Sequence, residues 1–149
     1  MSNIRFNEDL VIAGQSFASK ELVIAELAAR LARQGCVDPD FAEPVLRREA
    51  NFPTGLPTSP VGIAIPHADP EHCKVPGLAV AVLPRPVKFG LMGTESDEVD
   101  VHVVFLLALP REKHVNFLSR LSAFLSNPEA ISALSQMQDA VTVAEFISA

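Results

Sequence analysis

Apolar residues recur every four positions from Val23 through Leu27 to Leu31, the spacing that keeps side chains on one face of an α-helix. Ser19 stands before them as a residue able to cap the free amides of a first turn, and Gly35 stands after them as a stop. The spacing predicts a helix over residues 20–34. A second helical stretch follows Asp38-Pro39, with Phe41, Val45 and Leu46 as its buried candidates. Pro44 must kink that helix or restart it near its first position, and its end is expected close to Ala50. Residues 51–60 read NFPTGLPTSP, a run of turn formers that predicts a loop.

Beyond the loop the pattern changes to short runs rich in branched residues. Residues 61–65 (VGIAI), 78–83 (LAVAVL) and 99–109 (VDVHVVFLLAL) are predicted strands, the last a central one, and residues 86–89 an added edge strand. Residues 111–125 return to helical spacing. Val115, Leu118, Ser122 and Leu125 form one face, which Phe117, Leu121 and Phe124 widen. Asn127-Pro128 opens a further helix to about Met137, and residues 141–147 make a last one. Helices at both ends around several strands imply an α/β fold, a three-layer α/β/α sandwich with a mixed central β-sheet flanked by helices. No repeat, low-complexity tract or Gly/Ser linker divides the chain, so residues 1–149 are expected to form a single domain.

Composition narrows the function classes. Mean hydropathy is positive, yet the longest apolar run, 101–109, is far short of the roughly 20 residues that span a bilayer. The first nine residues carry Arg5, Glu8 and Asp9 and lack the apolar stretch of a secretory signal. A net charge of −6 argues against sequence-independent nucleic-acid binding, which depends on Lys and Arg neutralising phosphates. Cys36 and Cys73 form no C-x-x-C pair, in keeping with a reducing, cytoplasmic setting.

Chemistry concentrates in two segments. The first is GIAIPHADPEHC, residues 62–73. Pro66 disfavours the helical region for Ile65, so the chain should leave its strand extended and turn at His67. A histidine at a strand exit is well placed to meet a partner or substrate, and is equally compatible with a ring that only hydrogen-bonds its neighbouring backbone. His67, Asp69, His72 and Cys73 could also be metal ligands, but their spacing matches no zinc pattern, and Pro70 lies between them. Cys73 lacks a nucleophile signature, and Cys36 reads as filler. The second segment is LRREANFPTG, residues 46–55. Its adjacent arginines point in different directions, so one can meet solvent while the other reaches the next loop. A planar guanidinium suits phosphate, although Glu43 and Glu49 offer ordinary ion pairing. Thr54 and Gly55 add a hydroxyl and backbone amides at a turn. His114 is placed one turn into the helix after the last strand. His72 has little to recommend it, and His102 alternates within a strand where it can point to solvent.

Arg48-Glu49, then Phe52-Pro53-Thr54-Gly55, then Gly62-Ile63-Ala64-Ile65-Pro66-His67, in that order, resemble the fructose/mannitol-type enzyme IIA family of the phosphoenolpyruvate-dependent phosphotransferase system. That family typically reads R-E, a T-G turn and A-I-P-H, and the resemblance covers nearly the whole chain. REANFPTGL and the pairing of His67 with His72 look most like the galactitol-specific branch. The resemblance implies that His67 takes a phosphoryl group from HPr and passes it to a cysteine of enzyme IIB, and through it to membrane enzyme IIC. It implies a charge-neutralising role for Arg48 and a hydrogen-bonding one for His114. Thr54 and Gly55 would line the phosphate pocket, and no cofactor or metal is called for. Asp69 departs from the small or hydroxyl residue usual at its position and is expected to point away from the phosphate. A regulatory module of the nitrogen type is the competing reading within the family. A metal-dependent hydrolase using His67, Asp69 and His72 is the competing reading outside it.

Overall fold

Ten helices and strands succeed one another in the computed structural model, which describes residues 4–111 and 114–149. They are β1 (Val11–Ala13), α1 (Lys20–Arg33), α2 (Ala42–Asn51), β2 (Gly55–Leu56), β3 (Gly62–Ala64), β4 (Gly77–Gly90), β5 (Glu98–Ala108), α3 (Val115–Leu125), α4 (Pro128–Ser135) and α5 (Ala140–Ser148). Short 3-10 turns occupy Glu8–Leu10 and Pro70–His72. The strands form one mixed sheet in the order β1-β4-β5-β3-β2. The β1–β4 and β3–β5 pairs are parallel, while β4–β5 and β2–β3 are antiparallel. As its long, mostly apolar run implies, β5 is central.

Strand pleating sends alternate residues to opposite faces and so builds three layers. Ala79, Ala81 and Leu83 of β4 pack with Val23, Leu27 and Leu31 of α1 and Val45 of α2. Leu78, Val80 and Val82 pack with Phe117 of α3, Ile131 and Leu134 of α4 and Val143 of α5. Leu27 and Leu31 are fully buried, and each such side chain contributes about 1.5–3 kcal/mol relative to exposure. Ser19 Oγ accepts the Leu22 amide at 3.3 Å, capping α1. Gly35, at φ 78°, then lets the Cys36 amide reach the Leu31 carbonyl at 3.0 Å and close the helix. Pro44 falls in the first turn of α2, where an amide has no intrahelical acceptor, and the helix runs through it.

Four expectations change. A three-residue strand, β1, lies before α1 where no period-2 pattern is long enough to read. Gly55 and Leu56, inside the predicted loop, pair with Ala64 and Ile63. The predicted edge strand 86–89 is the second half of β4, continuous with the first through an irregularity where the register jumps from Val82–Val103 to Val87–Val101. Pro84 and Pro86 sit in that irregularity, where the ladder needs no amide. Finally, α3 begins at Val115, where the apolar repeat itself begins, so His114 is its N-cap and is not within it. Glu112 and Lys113, part of the helix predicted there, lie outside the described residues.

Candidate functional site

Because β3 and β5 are parallel, their C-terminal ends, and the loops leaving them, lie at the same end of the sheet. His67 lies just past the end of β3 and forms an isolated parallel bridge with Leu107 of β5. The Leu107 amide donates to the Pro66 carbonyl at 3.1 Å, which fixes the turn that Pro66 begins. His67 Nδ1 lies 2.9 Å from the Ile65 carbonyl oxygen. That oxygen can only accept, so Nδ1 carries a proton, and in the neutral ring the lone pair falls to Nε2. The backbone bond and the reactive role are therefore not alternatives: the first defines which nitrogen is nucleophilic. The ring is half-buried.

The arginine pair divides as the helix geometry requires: Arg47 is exposed, while Arg48 reaches the loop after His67. Arg48 Nη1 bonds Asp69 Oδ1 at 3.1 Å, and its guanidinium lies over the Phe52 ring, 5.4 Å from the centroid. Its Nε is buried and has no hydrogen-bond partner among the described residues. Asp69, exposed as expected, corrects one expectation: it replaces Glu43 and Glu49 as the arginine's ionic partner among the described residues.

Glu49 is instead buried, and its carboxylate takes both donors of Thr54, the amide at 2.8 Å and the hydroxyl at 2.7 Å. Burial pushes the Glu49 carboxyl up from its ordinary value, against the Thr54 bonds and, more weakly, nearby Lys20 and His67. As placed, Thr54 has neither donor left for an anion. Sequence reasoning missed this pair, though the signal was there: Phe41, Val45 and Glu49 share one four-residue spacing, and the first two are core residues. A Cβ on Gly55 would collide with the Gly90 carbonyl and Val99, so the glycine is required by close packing of β2 on its neighbours.

His114 caps α3 without a side-chain cap bond, and its Nε2 lies 3.0 Å from the Pro110 carbonyl oxygen, to which it must donate. It comes after β5, at the same end of the sheet as His67. Val115 and Leu118 beside it, and Phe52 beneath Arg48, are exposed apolar side chains. Leu56 is half-buried. The remaining candidates separate from this site. His72 is exposed on a 3-10 turn, and His102, expected to face solvent, is half-buried with Nδ1 buried and unpartnered among the described residues. Cys36 is buried, and burial pushes the Cys73 thiol up to about 11 despite the Leu109 amide beside it, so neither is a ready thiolate. Among the described residues, no group of three or more His, Cys, Asp or Glu side chains is arranged to hold a metal ion. An apolar cavity of about 230 Å³ under α3 and α5, lined by Leu78, Phe105, Phe117 and Phe124, contains none of the site residues. No described helix is long and apolar enough to cross a membrane.

Residues 5–149 match the family model described as "Phosphoenolpyruvate-dependent sugar phosphotransferase system, EIIA 2". The chain belongs to this family and is a phosphotransferase component. It is 29% identical to the mannitol-specific phosphotransferase enzyme IIA component of Enterococcus faecalis, covering 89% of this chain and 87% of that protein. It is 25% identical to the galactitol-specific EIIA component of Escherichia coli, covering 83% of each. It is also 29% identical to the transcriptional regulator ManR of Bacillus subtilis, of which this chain spans only 19%. The fold matches enzyme IIA-mannitol of Escherichia coli, solved in complex with phosphorylated enzyme IIB-mannitol, at a TM-score of 0.79 and 24% identity over 97% of this chain and 98% of that one.

Proposed function

We propose that His67 is the phosphoryl carrier of a sugar-uptake relay, receiving the group from HPr and passing it to a cysteine of an enzyme IIB that serves a membrane enzyme IIC. The observation that carries this reading is the His67 ring itself, with Nδ1–H on the Ile65 carbonyl and Nε2 bearing the lone pair at a strand exit. Nε2 would supply its electron pair to phosphorus while the donor's P–N bond breaks and its pair returns to the donor ring nitrogen. Nδ1 keeps its proton on Ile65, so the phosphorylated ring is cationic and its P–N bond is primed for onward transfer. Phosphoryl transfer asks the protein mainly for position and charge neutralisation. Arg48 would neutralise the equatorial oxygens, its Nε, unpartnered among the described residues, being a donor in want of an acceptor. His114 would assist from the end of β5 by releasing its Nε2–H from the Pro110 carbonyl, and Thr54 would act through Glu49 by bracing the loop beside Arg48, with Gly55 setting its path. Neither a cofactor nor a metal is required.

A site on a half-exposed surface suits partners that are themselves proteins, and the exposed Phe52, Val115 and Leu118 suit docking around it. The relatives named for mannitol and for galactitol make a hexitol the natural sugar class, and REANFPTGL makes galactitol the first to test. We read the chain as a single cytoplasmic domain. The likeness to ManR favours a second reading, in which phosphorylated His67 regulates another protein. The two part at the next step: phosphorylated protein mixed with enzymes IIB for galactitol and mannitol should lose its phosphoryl group to one of them. Retention against the whole panel would favour the regulatory reading.

A further inference from the structure

We propose that Asp69 is a positioning residue that occupies Arg48 while His67 is unphosphorylated and raises the transfer potential of the phosphoryl group once it is bound, an inference that rests on the relay reading above. Three observations carry it. Asp69 stands two residues beyond His67, on a turn fixed by the bridge between His67 and Leu107, and its Oδ1 lies 3.1 Å from Arg48 Nη1. It precedes the 3-10 turn Pro70–His72 as an N-cap, yet its side chain makes no cap bond, so its carboxylate is committed to Arg48 and not to its own turn. No other carboxylate pairs with Arg48 among the described residues, since Glu49 is taken up by Thr54.

A phosphoryl group on Nε2 brings a second anion to the same guanidinium. The two then compete for one cation and repel each other. The ion pair is accessible, with side-chain exposures of 37% for Arg48 and 58% for Asp69, so separating it is not difficult. Asp69 therefore stabilises the empty site relative to the charged one. For a relay this is useful: the group is held less tightly and is handed on more readily. Water-exposed charge contacts of this kind shift an equilibrium by about 1.5- to 5-fold.

The test is Asp69→Asn, which removes the charge and keeps the shape. With bacterial enzyme I, HPr and limiting phosphoenolpyruvate, the equilibrium constant for phosphoryl exchange between HPr and this protein is measured for each variant. Asp69→Asn should favour the phosphorylated protein about 1.5- to 5-fold, with an unchanged thermal midpoint, and Asp69→Glu should restore the original balance. In an Arg48→Ala background the effect of Asp69→Asn should shrink, because the competition needs the guanidinium. If wild-type protein does label on His67, a constant that Asp69→Asn leaves unchanged or shifts the opposite way would overturn the inference and leave the relay intact. A full effect in the Arg48→Ala background would overturn the route through Arg48. Absence of any label on wild-type His67 would overturn the relay reading itself, and this inference with it.

Discussion

Glu49 grips Thr54 with both carboxylate oxygens, Oε2 taking the amide at 2.8 Å and Oε1 the hydroxyl at 2.7 Å. This joins the last turn of α2 to the start of β2 and sets the position of the intervening Phe52, over which Arg48 lies. A buried carboxylate stripped of a donor bears the desolvation of the lost bond. Thr54→Val, which keeps shape and removes the hydroxyl, should lower unfolding free energy by about 1–3 kcal/mol in urea titrations. A change within error would mean the hydroxyl bond contributes nothing net.

The same carboxyl gives stability a pH dependence of unusual sign for a glutamate. Its folded value is raised above the ordinary 4.5, so the folded state binds the proton more tightly. Between those two values the native protein holds more protons than the unfolded chain, and stability falls as pH rises through the window. Asp139, lowered by its cap bonds to Thr142, behaves oppositely: its contribution is present above its ordinary 3.8 and is lost as pH falls through its folded value. Denaturation midpoints measured across both ranges should show Glu49→Gln flattening the upper slope and leaving the lower one. Parallel curves for the two proteins would refute the assignment.

Arg48→Ala removes one exposed ion pair and one cation–π contact, so stability should fall by no more than about 2 kcal/mol. Phosphoryl transfer to and from His67 should slow by about a hundredfold, the usual loss when a charge-stabilising donor is deleted. Rapid-quench kinetics with labelled HPr would read both directions. Wild-type rates would remove Arg48 from the site.

Cys73 is half-buried with its thiol pushed up to about 11. In native protein at about pH 8, where an ordinary free thiol alkylates readily, iodoacetamide should modify it slowly and denaturant should release the reaction. Fast native alkylation would show the thiolate to be far better stabilised than its surroundings indicate.

Much of this was legible in the chain itself. The repeat Val23, Leu27, Leu31 between Ser19 and Gly35 specified α1 because cap, period and stop agreed, and the long, mostly apolar run in β5 marked the central strand. Two short strands were not legible: β1 has three residues and β2 two, and unlike the equally short β3, which lies in the apolar run 61–65, β2 lies in a run of turn formers. The order of Arg48, the Thr54-Gly55 turn and His67 pointed to the site. What it could not give was the partnering of charges. Asp69 was read only as a charge to be kept from an anion, and its pairing with the Arg48 guanidinium depends on how the loop after His67 lies against α2. Glu49 looked like a surface ion-pair partner because its burial depends on how α2 docks.

The most direct measurement locates the phosphoryl group by atom. After phosphorylation by HPr, nitrogen-15 and phosphorus-31 spectra of the protein should place the group on Nε2 of His67, with Nδ1 still protonated against Ile65. The label should be acid-labile, base-stable and absent from His67→Ala. A group on Nδ1, on another residue, or undiminished in His67→Ala would contradict the assignment of His67 Nε2 as the carrier.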